Sequence, residues 1–455
     1  MAEGIRASDG GLKSVQAEGS RVPAIFRALK HRNYRYFFAG QLLSLIGTWM
    51  QTVAQSWLVY RLTGSTVLLG LVAFSSQIPV FLLAPVGGAI ADRFDRRRIL
   101  QITQSAAMVL AATLATLTFT GAIQVWHIFV IAALLGLVNA ADLPARQAFV
   151  VDIVGRKDLP NAIALNSSMF NGARIVGPAV AGILVASVGE AWCFGINAFS
   201  YVAVLTGLFR ISIEKQERTP PSGSAVSRIV GGFRFVAATS PVRTLMLLLG
   251  MISLMGMPYS VLMPIFADRI LGGGADSLGM LMGASGVGAL AGALLLAARK
   301  TLKGIGRWIA FASAGFGISL VLFSFSRNFW LSVLFLIPAG FSMMIQMAAS
   351  NTLVQSMVPD ELRGRVMAVY SMMFMGMAPF GAMLAGTVAE QIGAPYTVMI
   401  GGIACLVGSL LFSLRLDAFR TETHRIIVAM NMAGGSPVER ATGASPIMAI
   451  EKSKD

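Results

Sequence analysis

The chain has 455 residues; 55% are hydrophobic, only 13% are charged, and the formal net charge is +15. Soluble domains carry about 25% charged residues, so this composition excludes a soluble enzyme or binding module and points to a polytopic membrane protein. In a soluble chain the positive charge would suggest nucleic acid. Here the bases gather in loops and tails on one side of the apolar segments, so they read as topology, with no nucleic-acid partner. Cys193 and Cys405 both lie in apolar runs without metal-type spacing, so no disulfide, metal or other cofactor is expected.

In chain order, residues 1–33 read as a cytoplasmic tail ending in a short surface helix. Ile25, Phe26 and Leu29 share one face, with Arg27, Lys30, His31, Arg32 and Arg35 around it; that pattern suits an anionic inner leaflet. The first apolar span, about 36–60, carries Gln41, Ser44, Thr48, Gln51, Thr52 and Gln55 on a single helical stripe. A lipid-facing helix would not keep such a stripe, so it faces a water-filled cavity or serves as polar glue between helices.

The second span ends at Gly87-Gly88-Ala89-Ile90-Ala91-Asp92-Arg93-Phe94-Asp95-Arg96-Arg97-Arg98, and the third starts at Ile99. Four arginines in so short a turn mark it as cytoplasmic. The fourth span carries Asn139, Asp142 and Arg146 at its inner end, and the fifth holds Arg174 and Gly177-Pro178-Ala179-Val180-Ala181-Gly182. The sixth, from Trp192 to about Leu208, completes a bundle over 34–210. Residues 211–243 read as a cytoplasmic linker with Pro220-Pro221 and a second surface helix. Six more spans follow over 244–415, and 416–455 form a second cytoplasmic tail. The Lys/Arg bias between alternate loops places both termini inside.

The two halves repeat. A fixed offset of 204 residues carries Ala145 onto Ala349, Ser167 onto Ser371, Gly177 onto Gly381 and Gly182 onto Gly386. The expected fold is an all-α membrane protein with twelve transmembrane helices in two parallel six-helix repeats.

The turn after the second span resembles the signature loop of the major facilitator superfamily, with Gly88, Asp92, Arg93, Arg96 and Arg97 in the matching places and Asp95 where the family usually has glycine. Over about 34–415 the chain is similar to the enterobactin-exporter-like and macrolide-efflux-like branch. The marks are Ala39-Gly40-Gln41-Leu42-Leu43-Ser44, Trp57 to Ser65, Pro144-Ala145-Arg146-Gln147 and Ala173 to Pro178. The resemblance implies a multi-pass exporter of the bacterial inner membrane, usually driven by proton antiport. It also implies that Asp92 meets the start of the eleventh span near Arg363 and Arg365, and that Arg96 or Arg97 pairs with Asp142. Gly177, Pro178 and Gly182 resemble an antiporter motif, although an ordinary packed kink remains an alternative.

Arg174 is the sharpest residue. An intramembrane charge needs a partner, water or a bound anion, and no acid lies at its depth. It either contacts an anionic or oxygen-rich substrate or bonds carbonyls across the half interface. Arg174, Gln41, Thr48, Gln51, Gln55 and Gln346 are the candidate cavity residues, with methionines at 251, 255, 257, 343, 344 and 347 as flexible apolar lining. A membrane enzyme would need clustered His, Cys, Asp or Glu, but the three histidines are scattered and no Gly-Lys pair offers a Walker loop. The expectation is a monomeric, proton-coupled exporter of a mid-sized amphipathic compound, a siderophore or macrolide-like drug, in contact with membrane lipid. A small-metabolite importer and a non-transporting receptor or scaffold are the alternatives.

Overall fold

The structure, a computed structural model, describes residues 24–212, 225–299 and 304–432. The expected tail before residue 24, the Pro220-Pro221 segment and the chain beyond 432 lie outside the described residues.

A short 3-10 turn, Ala24–Lys30, opens the described residues. The first half follows as α1 (Arg32–Thr63), α2 (Thr66–Arg93), α3 (Arg96–Phe119), α4 (Val125–Gly155), α5 (Lys157–Val188) and α6 (Glu190–Arg210). A peripheral helix, α7 (Ala225–Ala238), leads to the second half. That half is α8 (Ser240–Ile270), α9 (Ala275–Ala297), α10 (Ile305–Phe325), α11 (Phe329–Ser356), α12 (Asp360–Ile392) and α13 (Ala394–Leu414), followed by a peripheral α14 (Leu416–Met432). Eleven helices are long and apolar enough to cross a membrane among the described residues. The twelfth, α1, is diluted by its glutamine and hydroxyl stripe, yet its 32 residues are ample to span.

Local chemistry sets the boundaries. Ser65 caps α2 by accepting from the Leu68 N–H. Asp95, the departure from the family's loop, caps α3: its Oδ1 accepts from the Arg97 N–H at 2.9 Å. The basic turn is therefore only Phe94 and Asp95, with the preceding Asp92 and Arg93 still helical. Gly155, at φ +69°, separates α4 from α5. Two prolines, Pro258 and Pro264, remove backbone donors in α8, which has a widened turn at Ile252–Gly256 and a tight one at Met257–Ser260. α12 is interrupted at Gly376.

The opening turn docks on α5: Asn161 accepts from the Ala28 N–H at 2.7 Å, His31 and Asp158 meet at 2.8 Å, and the Tyr34 hydroxyl donates to the Ala162 carbonyl. Arg27 and Lys30 stay exposed, as expected of a surface element. Gly232 on α7 brings that helix against the Arg365 backbone of α12.

The halves touch along two seams, α2 with α12 and α5 with α9. A Cβ on Gly386 would lie 3.1 Å from Gly70 Cα, and one on Gly279 would lie 2.8 Å from Gly182 Cα. Such crossings need glycine on both helices.

Candidate functional site: a cavity between the halves

A cavity of about 1570 Å³ lies between the halves. One end is shut. The Tyr60 hydroxyl of α1 donates to Asp268 of α8 at 2.5 Å, and Arg269 donates to the Gly64 carbonyl. Glu390 of α12 accepts from the Thr66 N–H at 3.1 Å and from its hydroxyl at 2.6 Å, satisfying the first turn of α2. Arg61 pairs with Glu190 at 2.7 Å within the first half. At the other end, which carries Arg96–Arg98, the walls reach Asp92 and Arg146 on one side and Glu361, Gly364 and Arg365 on the other without closing. An added Cβ on Gly88 or Gly364 would meet nothing within 4 Å.

All six polar residues of the α1 stripe line this cavity. Their availability differs. Thr48 donates to the Ser44 carbonyl one turn back, and Gln51 accepts from Asn197 at 2.6 Å. Of the candidate methionines, Met257, Met343 and Met347 line the wall, joined by Met263, Met282, Met372 and Met375, while 251, 255 and 344 do not. Gln346 is not a lining residue: it is buried in α11, and its Nε2 has no partner among the described residues.

Arg174 lines the cavity on α5. Its guanidinium sits 5.8 Å from the centre of the Trp49 ring, which in turn meets Phe170 edge-on at 5.7 Å. No carboxylate or carbonyl binds it among the described residues. Gly177, one turn on, has no room for a side chain because Trp49 Cβ and the Ile46 carbonyl occupy it, so α5 and α1 hold Arg174 and Trp49 together. Pro178 also lines the cavity, and its carbonyl faces Gly279 across the seam. The glycine-proline motif is therefore built into both an intra-half contact and a crossing between halves.

Asp142 is buried beside the open end. It accepts from Thr103 at 2.8 Å, Gln104 at 2.7 Å and the Arg146 guanidinium. The expected pairing of Asp142 with Arg96 or Arg97 is not made in this conformation. Arg96 binds Asp152 at 2.7 Å and the Ala148 carbonyl, and Arg97 binds the Leu208 and Phe209 carbonyls that end α6. Asp152 lies ten residues, about 15 Å of helix, beyond Asp142 and level with the start of α3; its place in the last turn of α4 was the signal for it. Asp92 does not meet Arg363 or Arg365 either. Its nearest cation is Arg96 at 4.0 Å, and Arg363 pairs with Asp360. Arg93 is exposed. Of the two adjacent glycines, Gly87 makes a close helix approach, packing on the Ala140 carbonyl, while Gly88 faces open space.

Residues 24–438 match the profile of the transmembrane secretion effector family, MFS_3. The chain is 29% identical over 385 residues to the staphyloferrin A transporter of Staphylococcus aureus, covering 83% of this chain and 95% of that protein. It is 26% identical over 363 residues to the multidrug efflux pump Tap of Mycolicibacterium fortuitum, covering 78% and 88%. In fold it resembles the POT family transporter PepTSo, with TM-score 0.66 and 13% identity over 86% of this chain and 99% of that one. A two-half helical fold around a cavity closed at one end, together with a family match over nearly the whole described length, identifies the chain as a transporter of the major facilitator superfamily, in its transmembrane secretion effector family.

Proposed function

We propose that the protein is a proton-coupled exporter of the bacterial inner membrane, with its basic end in the cytoplasm, and that it takes a mid-sized amphipathic compound with anionic or oxygen-rich groups. The basic loops favour that orientation. In it the structure is inward-open, shut toward the outside by the α2–α12 and α5–α9 crossings. The observation that carries the substrate reading is Arg174: a cation in a largely apolar cavity, stacked on Trp49 and bound to no acid among the described residues. Such a charge is costly in a membrane unless an anion, water or dipoles answer it.

The methionine-rich wall of the second half suits varied apolar bodies, since thioethers repack cheaply. Export is favoured over import by likeness to a pump whose name states efflux. A siderophore and a macrolide-like drug both fit. Asp142 is the proposed proton carrier, because it is a buried carboxylate at the cavity wall, with Arg146, Thr103 and Gln104 as its hydrogen-bond partners. Asp92 is proposed to bind across the inner ends once they close.

Inverted membrane vesicles energised by respiration test this reading. Uptake of a siderophore or macrolide that an uncoupler abolishes, and that Asp142→Asn loses, is expected. Uptake that survives the uncoupler, or that Asp142→Asn leaves intact, contradicts the coupling scheme.

A further inference from the structure

We propose that the cavity also opens sideways into the inner leaflet, between the basic-end halves of α2 and α12, and that this window admits an amphiphile with an apolar body and an anionic head directly from the lipid. The inference rests on the transporter reading above and adds the physical class of the substrate and its route.

Helical phase carries the argument. In the closed half of the seam, α2 meets α12 through Thr66, Gly70, Phe74 and Phe81, one stripe of the helix. Phe74 and Phe81 pack on Phe380 at 5.9 and 6.2 Å, and Phe81 fills the space beside Gly376. The stripe continues as Gly88 and Asp92. There it lines the cavity, with open space around Gly88. Leu82 and Ala89 follow Phe81 and Gly88 in sequence and so lie about 100° further round the helix. They line the same cavity, and Leu82 is 61% exposed. The cavity thus passes through the seam to the far flank of α2.

The facing helix shows the same pattern. Gly364, Ala368, Ser371 and Met375 recur at steps of four, three and four on one face of α12; all four are exposed and all line the cavity. Of the eleven spans, α2 is the least buried inside the protein, at 17% of its most apolar window.

The lining chemistry is graded. Near the apex the window is apolar, with Leu82, Pro85, Met372 and Met375; at its mouth stand Asp92, Glu361 and Arg365. A fully water-soluble solute gains nothing from an apolar slit. An amphiphile lying in the leaflet gains on both counts, its body passing Leu82 and Met375 while its head travels at the level of Arg365 and then reaches Arg174.

The test uses the full chain in nanodiscs with a diazirine-bearing palmitate, an anionic amphiphile, and maps photolabelling by peptide mass spectrometry. Ala89→Trp and Met375→Trp narrow the window; Phe199→Trp, at a 76% exposed site on α6, is the control. Thermal unfolding of each variant verifies that it is folded. Labelling at Trp49 and Phe170 inside the cavity is expected. It should fall by roughly tenfold in both window variants, as an access barrier should make it, and stay unchanged in the control. Cavity labelling unaffected by either folded window variant overturns the window, since the amphiphile then arrives through the basic end. Labelling confined to lipid-facing sites such as Phe199 and Phe311 also overturns it, as a merely annular lipid. Uncoupler-sensitive uptake in vesicles is read separately, so intact transport with an unaffected cavity signal removes the window and leaves the exporter standing.

Discussion

At the α2–α12 seam Gly70 meets Gly386, and at the α5–α9 seam Gly279 meets Gly182. Gly182 and Gly386 are related by the offset of 204 residues, and Gly70 and Gly279 by a neighbouring offset of 209. Around these crossings the side chains differ. The first seam is tied by Thr66 and Glu390 and wedged by Phe74, Phe81 and Phe380. The second stays small beyond its crossing, where Gly286 packs on the Arg174 carbonyl, and it turns that arginine into the cavity. Both halves thus supply glycine for a close backbone approach to the other half. The chemistry at each crossing differs, with a polar and aromatic tie at one seam and a cavity-lining arginine at the other.

The comparison breaks most readily at the glycines. Gly182→Val and Gly386→Val each force backbone apart, at a cost of about 1–3 kcal/mol for overpacking. Transport per folded molecule should fall below roughly a tenth for both; loss at one seam alone would end their equivalence. Next, Arg174→Gln should lower the efficiency for an anionic substrate by about tenfold, with Arg174→Lys in between because it keeps charge but loses the fork. Normal kinetics in both variants would remove Arg174 from the site. Asp92→Asn should slow turnover several-fold while leaving the melting temperature unchanged, because in this conformation its nearest cation is 4.0 Å away. The smallest effect belongs to Glu390→Gln. The carboxylate is exposed, so weakening its hold on Thr66 should raise the rate of thiol labelling of a cysteine placed at the closed end only about twofold.

Much of the fold was legible because hydropathy, loop charge and the offset report backbone-level constraints that a bilayer enforces. The α1 stripe was legible for the same reason: six polar residues on one helical face have few places to go. Pairings were less so. Arg96 reads as a partner for any acid near the inner end of α4, and only the three-dimensional level of each turn selects Asp152 over Asp142. Gly87 and Gly88 are indistinguishable in sequence, yet a difference of 100° in helical phase gives one a backbone contact and the other open space. Gln346 lies at the offset position of Asp142 but is buried away from the cavity, since the second half lines its wall with methionines instead.

A proposed exporter with one end shut and the other open must open its two ends in alternation. Spin-label distances test it most directly in a background where the buried thiols Cys193 and Cys405 are replaced by alanine. One label pair spans the closed end, at Leu62→Cys and Arg327→Cys; the other spans the basic end, at Phe94→Cys and Arg363→Cys. On a change of pH or addition of substrate, the first distance should lengthen as the second shortens, in the same fraction of molecules. Two distances that stay fixed, or that lengthen together, would contradict the account.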